Sequence, residues 1–162
     1  MTSPKPCLRK GDVTGPRKAT GVDEYVLDSS AFLAFLKGEP GATLVASIMA
    51  SEGFHISISA INLGEVFHLT LRHRSEAVAL EVEARTLQSP NIEVVESTWD
   101  RVKAAAKLKA AGGLSYADCF AAALALERAA TLITSDSEFR TLEMQGKLKV
   151  LWLPSAEPGH QP

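Results

Sequence analysis

The sequence predicts an α/β domain with a central parallel sheet and helices on both faces. Short apolar segments of four to six residues recur along the chain. Between them lie longer segments with serine caps and glycine stops, which are typical of helices. One of these segments, residues 115–130, is apolar on nearly every side, as a helix buried between two layers is. Strands that alternate with helices form a parallel sheet, because each crossover helix packs on a face of that sheet.

The first half of the domain is predicted to contain two strands and four helices. "YVLD" (25–28) is an apolar run that ends in an acid, and "FHISIS" (54–59) is rich in β-branched residues. Serine caps begin the helix that follows the first strand, and Gly38 and Pro40 end it. Three further helices are predicted at residues 42–51, 60–74 and 75–89.

The second half is predicted to contain three strands and three helices. The strands are "IEVVE" (92–96), "TLIT" (131–134) and "KVLWL" (149–153). Ser97 and Asp100 have the spacing of a capping box, which predicts the start of the helix that ends at a glycine pair. The other two helices are "SYADCFAAALALERAA" and the short "SEFRTLEM".

Length and composition predict one domain with a short extension at each end. The chain has 162 residues, which suits a single core. Residues 1–22 are rich in Pro, Gly, Lys and Thr without an apolar period, so a disordered basic arm is expected there. The α/β domain is predicted over residues 23–154, and residues 155–162 form a short C-terminal tail.

Charge and cysteine content are those of a soluble cytoplasmic protein. The formal net charge is −2, which does not indicate a nucleic-acid binder. The charge is uneven, because residues 1–22 carry five basic residues and one acidic residue, and the remainder carries twelve basic and eighteen acidic. Two cysteines in unrelated contexts do not indicate a disulfide framework. The N-terminus has no signal-peptide pattern, and no apolar run is long enough to span a membrane.

Four acids are expected to converge at one edge of the sheet. Asp28 ends the first strand, and Asp136 lies just past the fourth. Asp118 lies in the first turn of the apolar helix, and Glu65 lies about two turns into the helix after residues 54–59. Ligands of open α/β sheets bind beyond the carboxyl ends of the strands. The order of the segments therefore predicts a shared site.

Each acid also has an ordinary structural interpretation. Ser115 and Asp118 form a capping box, and Asp136 can cap the short helix that follows it. Asp28 fits a turn, and Glu65 fits a solvated helix position. However, an ionised acid among apolar neighbours is costly without a partner, and few Lys or Arg are close in sequence. A divalent cation such as Mg²⁺ or Mn²⁺ would balance these charges and promote phosphodiester cleavage.

Several motifs in the same order resemble PIN-domain nucleases, above all the VapC-type toxins of bacterial toxin–antitoxin pairs. They are "YVLDSSAFLAFLKGEPGA", "ISISAINLGEV", "LSYADCFAAALALERAATLITSDSEF" and "KVLWL", and they cover residues 24 to about 153. The resemblance implies a three-layer α/β/α PIN-like domain with a central parallel sheet of about five strands. A departure from the family's pattern is the length of chain before the first strand, which is usually only a few residues.

The resemblance also assigns roles to residues of this chain. It implies that Asp28, Glu65, Asp118 and Asp136 are the metal-site acids, and that Ser30 and Ser135 are the small hydroxyl residues beside two of them. It implies Mg²⁺-dependent RNA cleavage in which a metal-activated water attacks phosphorus. It further implies frequent homodimers and a cognate antitoxin that inserts into the active-site groove.

The resulting hypothesis is a Mg²⁺-dependent endoribonuclease that acts as a toxin. Arg72 and Arg74, near the end of the Glu65 helix, are candidates to contact RNA or the antitoxin, although basic residues also complement a helix C-terminus. Two alternatives stay open: a housekeeping PIN-type nuclease without an antitoxin, and a non-catalytic RNA- or protein-binding domain. Glu65 and His68 have di-iron spacing, but only one such motif is present.

Overall fold

The computed structural model describes residues 23–154. The predicted N-terminal arm (1–22) and C-terminal tail (155–162) lie outside the described residues. The strands are β1 (Asp23–Leu27), β2 (Phe54–Ser59), β3 (Ile92–Val95), β4 (Thr131–Thr134) and β5 (Lys149–Trp152). The helices are α1 (Ser29–Lys37), α2 (Ala42–Met49), α3 (Ala60–His73), α4 (Glu76–Gln88), α5 (Trp99–Ala111), α6 (Tyr116–Arg128) and α7 (Arg140–Met144), with a 3-10 turn at Ser137–Phe139.

The predicted parallel sheet of five strands is confirmed. The strand order is β3-β2-β1-β4-β5, and all four neighbouring pairs are parallel. The chain builds outward from β1 in one direction through β2 and β3, and then in the other through β4 and β5. The order therefore reverses between β1 and β4, and in this class of sheet the crevice at such a reversal is where ligands bind.

Two apolar clusters lie on opposite faces of the sheet and give it three layers. Val26 and Leu132 point to the face that α5 and α6 cover, and they pack with the buried alanines of α6. Leu27 and Ile133, one residue further along each strand, point to the other face and pack with α1, α2 and α3. Adjacent strand residues face opposite ways, so β1 and β4 anchor both layers at once.

Two of the predicted helix starts differ in the structure. Serine caps were expected for α1, but Asp28 is its N-cap and accepts hydrogen bonds from the backbone N–H groups of Ser29 and Ser30. The predicted capping box of Ser97 and Asp100 is wrong. Thr98 is the N-cap of α5 without a side-chain bond, and the Ser97 hydroxyl is buried with no partner among residues 23–154.

Within residues 23–154, no single helix is long and apolar enough to cross a membrane. Helices α1 and α2 together have the necessary length and composition, but they meet at a bend of 104°. Both also contribute buried residues to the core on one face of the sheet.

Candidate metal centre

Asp28 lies at the central crevice and is held by four donors. It is 1% exposed and directly follows β1. Its Oδ1 accepts from Ser29 N at 2.6 Å, and its Oδ2 accepts from Ser30 N at 3.3 Å. Two hydroxyls also donate to Oδ2, Ser30 Oγ at 2.7 Å and Thr134 Oγ1 at 2.9 Å. Since Thr134 ends β4, this carboxylate connects the two strands at which the sheet order reverses.

Asp118 reaches the same edge from the first turn of α6. Ser115 caps this helix, and its hydroxyl accepts from Asp118 N at 3.1 Å. The second half of a capping box would place the Asp118 carboxylate on Ser115 N, but Glu138 Oε2 accepts from that N–H at 2.8 Å. Glu138 thus takes the capping role, and the Asp118 carboxylate is left for other contacts although it is only 6% exposed.

Three carboxylates meet at this edge. One oxygen from each of Asp118, Asp136 and Glu138 lies within 4.8 Å of the others. Asp136 follows β4; its N–H donates to Thr134 Oγ1 at 2.9 Å, and its Oδ1 accepts from Glu138 N at 2.9 Å. The structure therefore brings Asp118 and Asp136 together as the sequence predicted, and adds Glu138, which the sequence analysis did not identify.

Burial raises the pKa values of two acids of the site, Asp118 and Asp28. Burial is the main cause that raises the pKa of Asp118 to about 6, and the charges of Asp28, Asp136 and Glu138 add to it. Burial also raises the pKa of Asp28, although its four hydrogen bonds oppose the shift. No ion pair among residues 23–154 includes any of these four acids. Hard carboxylate oxygens without a cationic side chain fit a divalent cation such as Mg²⁺ or Mn²⁺.

The other predicted site residues are Glu65, Ser30, Ser135, Arg72 and Arg74. Glu65 is half-buried on α3 and is not one of the three clustered acids. The Ser30 hydroxyl binds Asp28, whereas Ser135 contributes its backbone N–H, which donates to Ser30 Oγ at 3.1 Å. Arg72 and Arg74 are exposed at the end of α3, and neither forms an ion pair with a residue in the described part of the chain.

Three solved structures show the same fold at low sequence identity. VapBC2 from Rickettsia felis, bound to a promoter DNA fragment, has a TM-score of 0.62 at 16% identity and covers 81% of this chain and 99% of its own. VapC20 from Mycobacterium tuberculosis, a sarcin–ricin loop cleaving toxin, has a TM-score of 0.61 at 21% identity and covers 72% and 93%. A toxin–antitoxin complex from Klebsiella pneumoniae has a TM-score of 0.55 at 16% identity and covers 71% and 89%.

A family model establishes the relationship that the fold indicates. The comparison with curated proteins finds no match to this chain. The model of the PIN domain, however, matches residues 25–143, which include all four carboxylates of the centre. This match covers most of the chain, from β1 through α7, and so the chain belongs to the PIN domain family.

Proposed function

We propose that this protein is a Mg²⁺-dependent endoribonuclease and the toxin of a toxin–antitoxin pair, acting in the cytoplasm. The observation that carries the proposal is a group of three carboxylates at the sheet's central crevice, those of buried Asp118, half-buried Asp136 and exposed Glu138. Their oxygens lie within 4.8 Å of one another, and none of them forms an ion pair among residues 23–154. A non-catalytic domain that kept these acids for structure would separate them or pair them with arginines. This arrangement favours a metal-dependent activity over a purely binding role.

Asp118 and Asp136 would hold the cation together with Asp28, whose charge acts on Asp118, and Glu138 would complete the acidic group. When bound, a divalent cation lowers the pKa of a water and stabilises negative charge on a phosphodiester. Thr134 and Ser30 fix the Asp28 carboxylate by donating hydrogen bonds to its Oδ2. Glu65, half-buried on α3, would complete the shell or orient the attacking water.

The toxin assignment is supported by the solved structures of similar fold. One is a toxin that cleaves the sarcin–ricin loop, and another is a toxin–antitoxin complex. By analogy, this chain would cleave RNA, form a homodimer, and be neutralised by a cognate antitoxin that inserts into the active-site groove. Arg72 and Arg74 are exposed cations available to RNA phosphates or to acidic residues of the antitoxin.

A housekeeping PIN nuclease without an antitoxin would have the same metal centre. Expression in a bacterial host separates the two functions. A toxin arrests growth, and co-expression of the small protein encoded beside it restores growth. A housekeeping nuclease does neither.

The first experiment is cleavage of total cellular RNA by the purified chain with Mg²⁺, with Mn²⁺ and with EDTA. Asp118→Asn tests the centre, and Asp100→Asn is a matched control, because Asp100 is an exposed acid on α5 paired with Lys103. We expect discrete fragments that require the metal, persist in Asp100→Asn and disappear in Asp118→Asn. Cleavage that survives both EDTA and Asp118→Asn would rule out the proposed centre.

A further inference from the structure

Asn62 is a buried amide in the first turn of α3, and the proposed chemistry does not use it. Its side chain is 0% exposed and lies between the layers of the fold. A buried amide costs free energy unless it is hydrogen-bonded, so its partners indicate what it does.

The Asn62 side chain joins two segments of the chain that are far apart in sequence. Its Nδ2 donates to Ser29 Oγ at 3.1 Å and to Ala117 O at 3.2 Å. Ser29 Oγ in turn donates to Asn62 O at 3.2 Å. The Ala117 carbonyl requires a donor facing it, which fixes the orientation of the amide. Both amide hydrogens are used, while Oδ1 is buried with no partner among residues 23–154.

Both partners of Asn62 lie next to acids of the centre. Ser29 directly follows Asp28 at the start of α1, and Ala117 directly precedes Asp118 at the start of α6. Asp28 is tied to β4 through Thr134. Among the side-chain hydrogen bonds of residues 23–154, those of Asn62 connect the start of α1 to the start of α6.

We infer that Asn62 is a positioning residue that sets the spacing between the Asp28 and Asp118 carboxylates for a divalent cation. The inference rests on the proposed metal centre. Burial is the main cause of the raised pKa of Asp118, and the charge of Asp28 adds to it. The two carboxylates therefore repel each other, and a fixed connection between their helix starts opposes their separation before the cation binds. Residues that hold ligands in place change metal affinity by about 10- to 100-fold when they are removed.

The test measures Mn²⁺ binding by titration calorimetry without RNA, together with the Mg²⁺ concentration that gives half-maximal cleavage. Asn62→Ala removes both side-chain hydrogen bonds of Asn62, including the one to α6, and Ser29→Ala removes the two bonds in which Ser29 Oγ takes part. Asn91→Ala is the matched control, because Asn91 Nδ2 donates across elements to Met49 O at 3.2 Å, at the other end of the sheet. The double variant Asn62→Ala with Ser29→Ala shows whether the two side chains act together.

We expect Asn62→Ala to weaken Mn²⁺ binding about tenfold or more. The Mg²⁺ concentration that gives half-maximal cleavage should rise by the same factor. Ser29→Ala should weaken it less, and the double variant no more than Asn62→Ala alone. Asn91→Ala should lower the melting temperature without changing either metal constant. Equal metal affinity for Asn62→Ala and Asn91→Ala overturns the inference, as does unchanged affinity in Ser29→Ala if Asn62→Ala does not fold. If the unsubstituted protein binds no Mn²⁺, or binds it only as weakly as Asp118→Asn does, the proposed metal centre is wrong and the inference about Asn62 is wrong with it.

Discussion

Asp118 has a carboxylate whose ionisation opposes folding when no metal is bound. Its pKa is raised to about 6 in the folded protein, from 3.8 for an unperturbed group. Between these two values the unfolded chain loses this proton while the folded chain keeps it. The stability that Asp118 contributes is therefore fully present below about pH 4 and is lost as pH rises through about 6. After allowance for solvent screening the loss is on the order of 1 to 2 kcal/mol.

Asp118→Asn should therefore stabilise the metal-free protein at pH 7.5, because the amide cannot ionise. Thermal unfolding in EDTA should give a higher melting temperature for Asp118→Asn than for the parent at pH 7.5, and nearly equal values at pH 4. Added Mg²⁺ should stabilise the parent and not the variant, because only the parent binds it tightly. Asp100→Asn, at an exposed position, is the control. A variant less stable than the parent at pH 7.5 in EDTA would contradict this account.

The hydroxyl of Thr134 forms hydrogen bonds to two acids of the proposed centre. Its buried hydroxyl donates to Asp28 Oδ2 and accepts from Asp136 N, so it serves two acids at once. Thr134→Val removes a bond that favours the ionised form of Asp28 and so raises the pKa of Asp28 further. Because the proposed cleavage requires Asp28 to be ionised, we expect the acidic limb of the pH–rate profile to move to higher pH.

The effect of Thr134→Val is measured as the pH dependence of the cleavage rate at saturating Mg²⁺. Near neutral pH we expect a rate about tenfold lower than that of the unsubstituted protein. Thr86→Val is the matched control, since Thr86 is buried on α4 and donates to Val82 O at 2.8 Å, away from the crevice. Both variants should lose about 1 kcal/mol of stability. A profile that coincides with that of Thr86→Val would argue against the role of the Thr134 hydroxyl.

At the scale of elements, local signals predicted the sheet well and two helix starts, those of α1 and α5, poorly. The strand over residues 54–59 was predicted with the bounds that it has, because β-branched composition is a local property. The start of α5 was not, although Ser97 and Asp100 have capping spacing. The Ser97 hydroxyl is instead buried, and Ser97 lines a small cavity with Phe120 and Leu124 of α6, so tertiary packing overrides the cap.

Gly38 and Gly41, which flank the α1–α2 connection, differ in the space that a Cβ would have. Gly38 ends α1 at φ 68°, and a Cβ there would meet nothing within 4 Å. Gly41 precedes α2 at φ 95°, and a Cβ there would lie 3.1 Å from Leu153 Cβ. Gly38→Ala should cost about 1 kcal/mol from backbone strain alone. Gly41→Ala should cost about 2 to 3 kcal/mol, because it adds crowding against a buried leucine.

Urea unfolding of the two glycine variants compares them under identical conditions. We expect the urea concentration at half-unfolding to fall more for Gly41→Ala than for Gly38→Ala. The dependence of the unfolding free energy on urea concentration should be unchanged in both variants. If the two alanines cost the same, Leu153 relaxes freely and its close approach to Gly41 contributes nothing to stability.

At the scale of the whole molecule, the sequence predicted the edge at which the site lies but not all of its members. The order of strands and acids was enough to place Asp28, Asp118 and Asp136 near one crevice. Glu138 was missed because its contact with Ser115 crosses 23 residues. Asn62 was missed because its partners lie 33 and 55 residues away. Such contacts depend on how helices pack across the edge, which no local pattern encodes.

The charge of the whole domain limits how the proposed nuclease would bind RNA. Residues 23–154 carry twelve basic and seventeen acidic residues, so long-range electrostatics oppose a polyanion. In the proposed nuclease, contacts to phosphates would therefore depend on a few cations without an ion pair in residues 23–154, among them Arg72 and Arg74 at the end of α3. Each phosphate contact to single-stranded RNA contributes about 0.7 to the slope of log affinity against log salt.

Replacing Arg72 and Arg74 with alanine should therefore make that slope shallower by about 1.4, with weaker binding at low salt. The slope is measured by filter binding of RNA at several salt concentrations. EDTA and an Asp118→Asn background prevent cleavage during the measurement. The control is Lys103→Ala with Lys107→Ala, which removes the same charge from α5 on the opposite face of the sheet. Since net charge changes equally, a shallower slope in the arginine variant alone assigns the contact to α3. An equal change in both variants would show that RNA responds only to overall charge, and no change would leave Arg72 and Arg74 without a role in RNA binding.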